Sequence, residues 1–320
     1  MSKEVNDMKK IFRPIIVATM LLGLVSQQVY AIDTTAINEK WGKPTVVYGG
    51  GLNDQQIKET SKLLGIKDEN TVTTTKATGE DLVKYLGAGE ANTSVMISSV
   101  MVQKRNKGEG VKVHIATPKN ITLVTSEQYA NAAITAGVAD AEIEVAAVSK
   151  VTGESALTGV YKAFEANGVV LDGKRTAVAQ QELELTNQIA QEQSKEKGFD
   201  AAKLDQAMID IKKSLAEIKE KQGQVATKED VERIVNEALK KYGLDKVISP
   251  TQVNNIIQFA LSYQQTSAID SKQVLEQLNS LSNTVKGKIG QLVDQANREG
   301  WFDKIVTFFK EIFNAIFSSK

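Results

Sequence analysis

Thr45-Val46-Val47-Tyr48-Gly49-Gly50-Gly51-Leu52-Asn53-Asp54-Gln55-Gln56 sets the class of the fold. β-Branched and aromatic residues from Thr45 to Tyr48 favour a pleated strand. Three glycines then permit a sharp turn. Asn53 has Gln56 three positions on, the spacing at which an N-cap side chain and the third helical residue satisfy each other's backbone N–H. Ile57, Leu63 and Leu64 continue the helix to Gly65, a residue suited to its carboxyl end. A strand feeding directly into a capped helix is the building unit of sheets covered by helices.

The pattern continues outward to Arg175. Thr71 to Thr75 predicts a strand and Asp81 to Leu86 a short helix. Val95 to Val102 and Val111 to Ile115 flank a glycine-containing turn, which predicts a β-hairpin. Ile121 to Val124 continues the sheet, a helix covers Glu127 to Ala136 behind a Ser126 cap, and a strand and a helix follow at Ile143 to Val148 and Glu154 to Ala166. Residues 44–175 are therefore expected to form a mixed-sheet α/β domain, entered from a short polar lead-in at 32–43.

Beyond Arg175 the strand signals stop. Leu204, Met208, Ile211, Leu215 and Ile218 are spaced 4, 3, 4 and 3 apart, the period of a helix-packing seam. Thr227 opens a helix with Val231, Ile234, Ala238 and Tyr242 on one face and Gly243 at its end. Ser249-Pro250-Thr251-Gln252 combines a cap, a proline at the first helical position and a glutamine at the third. Val274, Leu278, Leu281, Val285, Ile289 and Leu292 form another stripe. The expectation is an α+β protein: the mixed-sheet domain, an all-helical domain over 176–298, and a terminal amphipathic helix at 299–320. That last helix carries Trp301, Phe302, Ile305, Phe309, Ile312, Phe313 and Ile316 around a narrow polar face of Asp303, Lys304, Lys310, Glu311 and Asn314. Its near-cancelling charges favour packing or self-association. Contact with a membrane surface or a protein partner is the alternative.

Residues 1–31 read as a secretory signal peptide. Lys9, Lys10 and Arg13 precede an apolar run from Ile15 to Val25, which at 11 residues is too short to span a bilayer. Val29-Tyr30-Ala31 predicts cleavage after Ala31. No cysteine is available there for a lipid anchor. Glu4 and Asp7 fit poorly ahead of a positive segment. Lys3-Glu4-Val5 can be encoded AAG-GAG-GTG, a ribosome-binding sequence, so translation is expected to start at Met8.

Composition narrows the chemistry. Of 39 basic and 39 acidic residues the leader holds four and two, which leaves 35 against 37 and a charge near −2. That lacks the basic footprint of nucleic-acid binding. The absence of cysteine excludes disulfides, thiol nucleophiles and thiolate metal sites, and a single histidine, His114, excludes multi-histidine centres.

Several blocks are similar to a family of secreted proteins from Gram-positive bacteria known as domain of unknown function 1002. The carriers are Gly50-Gly51-Leu52-Asn53-Asp54-Gln55-Gln56, Tyr129-Ala130-Asn131-Ala132-Ala133-Ile134-Thr135-Ala136-Gly137-Val138, Ala141-Glu142-Ile143-Glu144-Val145-Ala146, and the run from Val151 to Glu165. The resemblance covers nearly the whole mature chain. It implies an exported two-part protein and supplies no catalytic residues.

The remaining motifs have bland readings. Gly49-Gly50-Gly51 lacks the Lys-Ser/Thr of a phosphate loop, so a structural turn is expected. Gly153-Glu154-Ser155-Ala156-Leu157 falls one glycine short of a nucleophile elbow, and His114 precedes rather than follows the serine. His114 alternates with Val113 and Ile115 and is expected to face solvent. Ser98 and Ser99 lack the helical spacing of a Ser-Lys dyad. Lys104, Arg105 and Lys107 crowd the turn after Val102 and form a candidate contact for an anionic wall polymer. Together these features predict an exported, non-enzymatic binding or structural protein of the cell envelope or extracellular space, without a cofactor. Its partners are the Sec translocase and signal peptidase during export, then a wall polymer, a membrane surface or a protein, and not nucleic acid. The alternatives are a secreted hydrolase using Ser or carboxylate chemistry on wall or peptide substrates, and a membrane-surface protein held by its terminal helix.

Overall fold

In the computed structural model, residues 41–87 and 90–289 are described. The predicted leader with Ala31 and the predicted aromatic helix from Trp301 to Ile316 lie outside the described residues. The opening unit forms as its residues dictate. Strand β1 (Thr45–Gly49) is buried throughout and runs through the glycine turn into helix α1 (Asp54–Leu63). Asn53 Oδ1 accepts the Gln56 N–H at 3.0 Å, and Gln56 Oε1 accepts the Asn53 N–H at 3.0 Å.

Four further strands complete a mixed sheet: β2 (Thr73–Ala77), β3 (Ser99–Lys104), β4 (Val111–Ile115) and β5 (Ala141–Ala146), in the order β2-β1-β3-β5-β4. The predicted hairpin between β3 and β4 does not form. β5 inserts between them, antiparallel to β3 and parallel to β4. The cause is burial: Ala141, Ile143 and Val145 are sealed on one face of β5, so the strand profits from a neighbour on each edge. The β3–β4 loop (105–110) then wraps the start of β5, where Arg105 N–H donates to Asp140 O at 2.6 Å and Ala141 N–H to Gly110 O at 3.0 Å. Ile121 makes only an isolated parallel bridge to Val151 and does not extend the sheet.

Helices α2 (Gly79–Leu86), α3 (Ser126–Ala136) and α4 (Ser155–Ala166) intervene between or follow the strands. The cap of α3 is Thr125, one residue before the predicted Ser126, and it forms a capping box with Gln128. After residue 166 the described residues form only helices: α5 (Gly173–Gln193), α6 (Ala201–Gln222), α7 (Lys228–Lys241), α8 (Pro250–Tyr263) and α9 (Lys272–Ile289), with a short 3₁₀ turn at Ser267–Asp270. The chain is thus a mixed α/β protein with a five-stranded sheet followed by helices.

Helix α3 is the hub. All its residues after Ser126 are buried, and Ala130, Ala132, Ala133 and Ala136 let neighbouring elements approach closely. It packs on β4, α5, α6 and α9. One hydrophobic cluster accordingly runs from Val47, Val100 and Ile143 in the sheet through Ile134 to Leu183, Leu215 and Leu278 in the later helices. Helix α5 starts before the boundary expected at 175, and the helices beyond it share this core. Trp41, within the predicted lead-in, is buried edge-on against Phe164 at 4.6 Å between ring centroids.

The glycine turn lies beneath two crossing segments. Gly50 N–H donates to Ala77 O at 2.8 Å and Gly51 N–H to Met96 O at 3.0 Å. A Cβ on Gly49 would fall 2.2 Å from Met96 O, whereas one on Gly65, at φ +72°, would meet nothing. Gly49→Ala is therefore expected to cost about 3 kcal/mol or more through backbone displacement. Gly65→Ala should cost about 1 kcal/mol, the strain of a left-handed residue. Urea unfolding of both variants checks this, and equal losses would contradict the crossing.

Candidate functional site

Two arrangements of polar residues stand out, one sealed and one open. The sealed one centres on Lys212, a fully buried lysine in α6. Its Nζ donates to Asn131 Oδ1 at 2.6 Å, Glu182 Oε1 at 2.7 Å and Thr135 Oγ1 at 2.9 Å, with Asn131 O at 3.2 Å. The Thr135 hydroxyl in turn donates a hydrogen bond to Glu182 Oε2 at 2.6 Å. Three helices, α3, α5 and α6, thus converge on one ammonium. The ring of Tyr263 in α8 lies 5.8 Å from it. Burial pulls the ammonium below its ordinary value, and Glu182 pulls in the opposite sense.

Arg175 adds a second buried cation at the carboxyl end of α3. Its Nε donates to Thr135 O at 2.8 Å and its Nη2 to Ile134 O at 3.1 Å. Both carbonyls lie in the last turn, at the negative end of the helix dipole, and Ile134 O also accepts from Gly137 N–H at 3.1 Å. At the amino end, Asp205 of α6 is 1% exposed and accepts from Thr125 Oγ1 at 3.0 Å. Burial pushes this carboxyl well above its ordinary value, and Glu127 and Glu182 add to the effect. Lys212, Glu182, Arg175 and Asp205 therefore fix α3 against α5 and α6, and their donors and acceptors face inward.

The open arrangement is a cleft of about 260 Å³ between the β3–β4 loop and α9, lined by Lys107, Gly108, Gly110, Asp140, Lys272, Gln273, Glu276, Gln277 and Ser280. Of the three predicted anion contacts it takes only Lys107. Lys104 donates to Ala139 O, and Arg105 pairs with Glu142 at 2.7 Å. The cluster that looked like one basic tip is divided, because β5 brings its own acceptors to the loop.

The other motifs are distributed through the fold. The N–H groups of Gly49, Gly50 and Gly51 are spent on Ser99 Oγ, Ala77 O and Met96 O, so the turn offers no anion cradle. Ser155 begins α4, and the preceding Gly153 carbonyl accepts from Tyr129 Oη at 2.7 Å. His114 is exposed on β4, in register with Glu144 of β5. Ser98 is buried. Trp301 and its aromatic companions lie outside the described residues.

Sequence reading missed Lys212, although a signal exists. Met208, Lys212 and Leu215 share one face of α6 at spacings of 4 and 3, so the lysine lies on the apolar stripe. Ala179, Glu182, Thr186 and Ile189 repeat the pattern in α5. Asp140 and Gln277 carried no local signal, since distant segments bring them together.

Lys212→Met should lose about 3–5 kcal/mol in urea unfolding, because Glu182 is then left buried without its cation. Lys212→Met with Glu182→Leu should recover much of that loss, and a double variant no better than the single one would refute the coupling. Asp205 supplies a pH signature. A carboxyl raised in the folded state contributes stability below its unfolded value near 3.8 and loses it as pH rises through the folded value. Asp205→Asn should match the parent near pH 3.8 and become the more stable protein as pH increases, as denaturation across a pH series would record.

The family model described as protein of unknown function (DUF1002) matches residues 48–281. A protein of Bacillus subtilis (strain 168), named Uncharacterized protein YpuA, is 30% identical over 317 residues, covering 97% of this chain and 99% of the relative. No solved structure matches the chain.

Proposed function

Because the chain belongs to the DUF1002 family, whose description carries no chemistry, we propose from its own residues that it is an exported, non-enzymatic binding or structural protein of the cell envelope or extracellular space. The observation carrying this reading is where the reactive groups lie. Lys212, Glu182, Arg175 and Asp205 are the kinds of groups from which acid–base chemistry is made, and each is turned into the interior as a tie between helices. A general base must reach a substrate proton, and these reach only protein atoms. Among the described residues, a cleft lined by charges of both signs is open to solvent, the equipment of a binder.

Export rests on residues 1–31, with their positive segment, short apolar run and small residue at Ala31. Fractionation of the native host into cytosol, membrane, wall and medium tests the reading. The expected product begins at Ile32 and is recovered outside the cytosol. A cytosolic chain that retains Lys9 to Ala31 would overturn it.

A further inference from the structure

We propose that the cleft between the β3–β4 loop and α9 binds a small zwitterion, an amino-acid-like molecule of dipeptide size or less that carries both an ammonium and a carboxylate.

The charges decide the class. Lys107 and Asp140 on the loop side and Lys272 and Glu276, one turn apart on α9, line one cavity with two cations and two anions. A polyanion would meet two carboxylates there, and a simple cation two ammonium groups. A ligand bearing both signs satisfies all four. The size agrees: about 260 Å³ exceeds the roughly 150 Å³ of a cavity that takes a benzene-sized guest.

The polar groups are also unevenly built. Lys107, Lys272 and Glu276 are exposed, whereas Asp140 and Gln277 are 5% and 6% exposed. Gln277 donates weakly to Val138 O at 3.5 Å, and its Oε1 is buried with no hydrogen-bond partner. A buried acceptor without a donor is an unusual expense in a folded protein and calls for an explanation. With Asp140 and Glu276, it gives the cleft an acceptor set suited to an ammonium. Lys107 and Lys272 are left for the carboxylate.

Asp140 is strained into place. It is the one non-glycine residue at positive φ among the described residues, at +47°. Its Oδ1 accepts from Gly108 and Gly110 N–H, each at 3.0 Å, and those glycines are themselves at positive φ. The loop is thereby held in one shape against α9, where a Cβ on Gly110 would come within 3.6 Å of Ser280 Oγ. Strain that the surroundings over-determine is characteristic of ligand clamps.

Calorimetric titration of the purified protein with L-alanyl-L-alanine should give a saturable isotherm. N-acetyl-L-alanyl-L-alanine, lacking the ammonium, and L-alanyl-L-alaninamide, lacking the carboxylate, should each bind about tenfold more weakly. Lys272→Ala, at an exposed position, should weaken the dipeptide about tenfold and leave the amide unchanged. Gln277→Leu should weaken both, with thermal unfolding confirming that the variant is folded. No saturation by the dipeptide, or equal binding of the acetylated anion, would overturn the assignment. The inference does not depend on export: a cytosolic chain that binds the dipeptide refutes only the proposed location, and an exported chain that does not bind refutes only the cleft.

Discussion

One ammonium ties α6 to α3 and α5. Removing a lysine from water costs several kcal/mol even after a protein has relaxed around it. The fold offsets that cost at Lys212 with oxygens from α3 and α5. Such a contact adds little to net stability compared with an apolar substitute. Its effect is on registration, since sliding any of the three helices by one residue would strand a charge in the core. The alanine-rich face of α3 makes the approach close enough for it to form.

What could be read from the sequence follows from the range of the interactions. Local rules produced the caps at Asn53, Thr227 and Ser249 and the carboxyl-terminal glycines at 65 and 243, because those bonds close within a few residues. The order of strands needed more. Val111 to Ile115 is a good strand wherever it pairs, and nothing near it says that residues 141–146 will come between it and β3. The same reason hid the cleft. Lys107 was visible as a charge near a turn, but Asp140, Glu276 and Gln277 join it only through the sheet order and the packing of α9 on α3.

The sealed ties and the open cleft divide the polar residues between two physical roles. Groups such as Arg175 donate to backbone carbonyls in the last turn of a helix, so their charge is consumed by the fold. Groups at the cleft are held by backbone contacts instead: Asp140 receives two glycine N–H groups through a single oxygen. The glycine turn after β1 shows the limit of motif reading. It has the composition of an anion loop, yet its donors are spent on the strands and segments that cross it.

The insertion of β5 also imposes a timetable on the growing chain. When β4 has been made, its partner strand has not, since β4 pairs with residues 141–146 and not with the strand before it. α3, made between the two, must wait until α6 delivers Lys212, about eighty residues later, before Asn131 and Thr135 find their cation. Contacts of such sequence separation must first repay the entropy of closing the loop between them. The tie that registers α3 against α5 and α6 therefore becomes available only once about two-thirds of the chain exists.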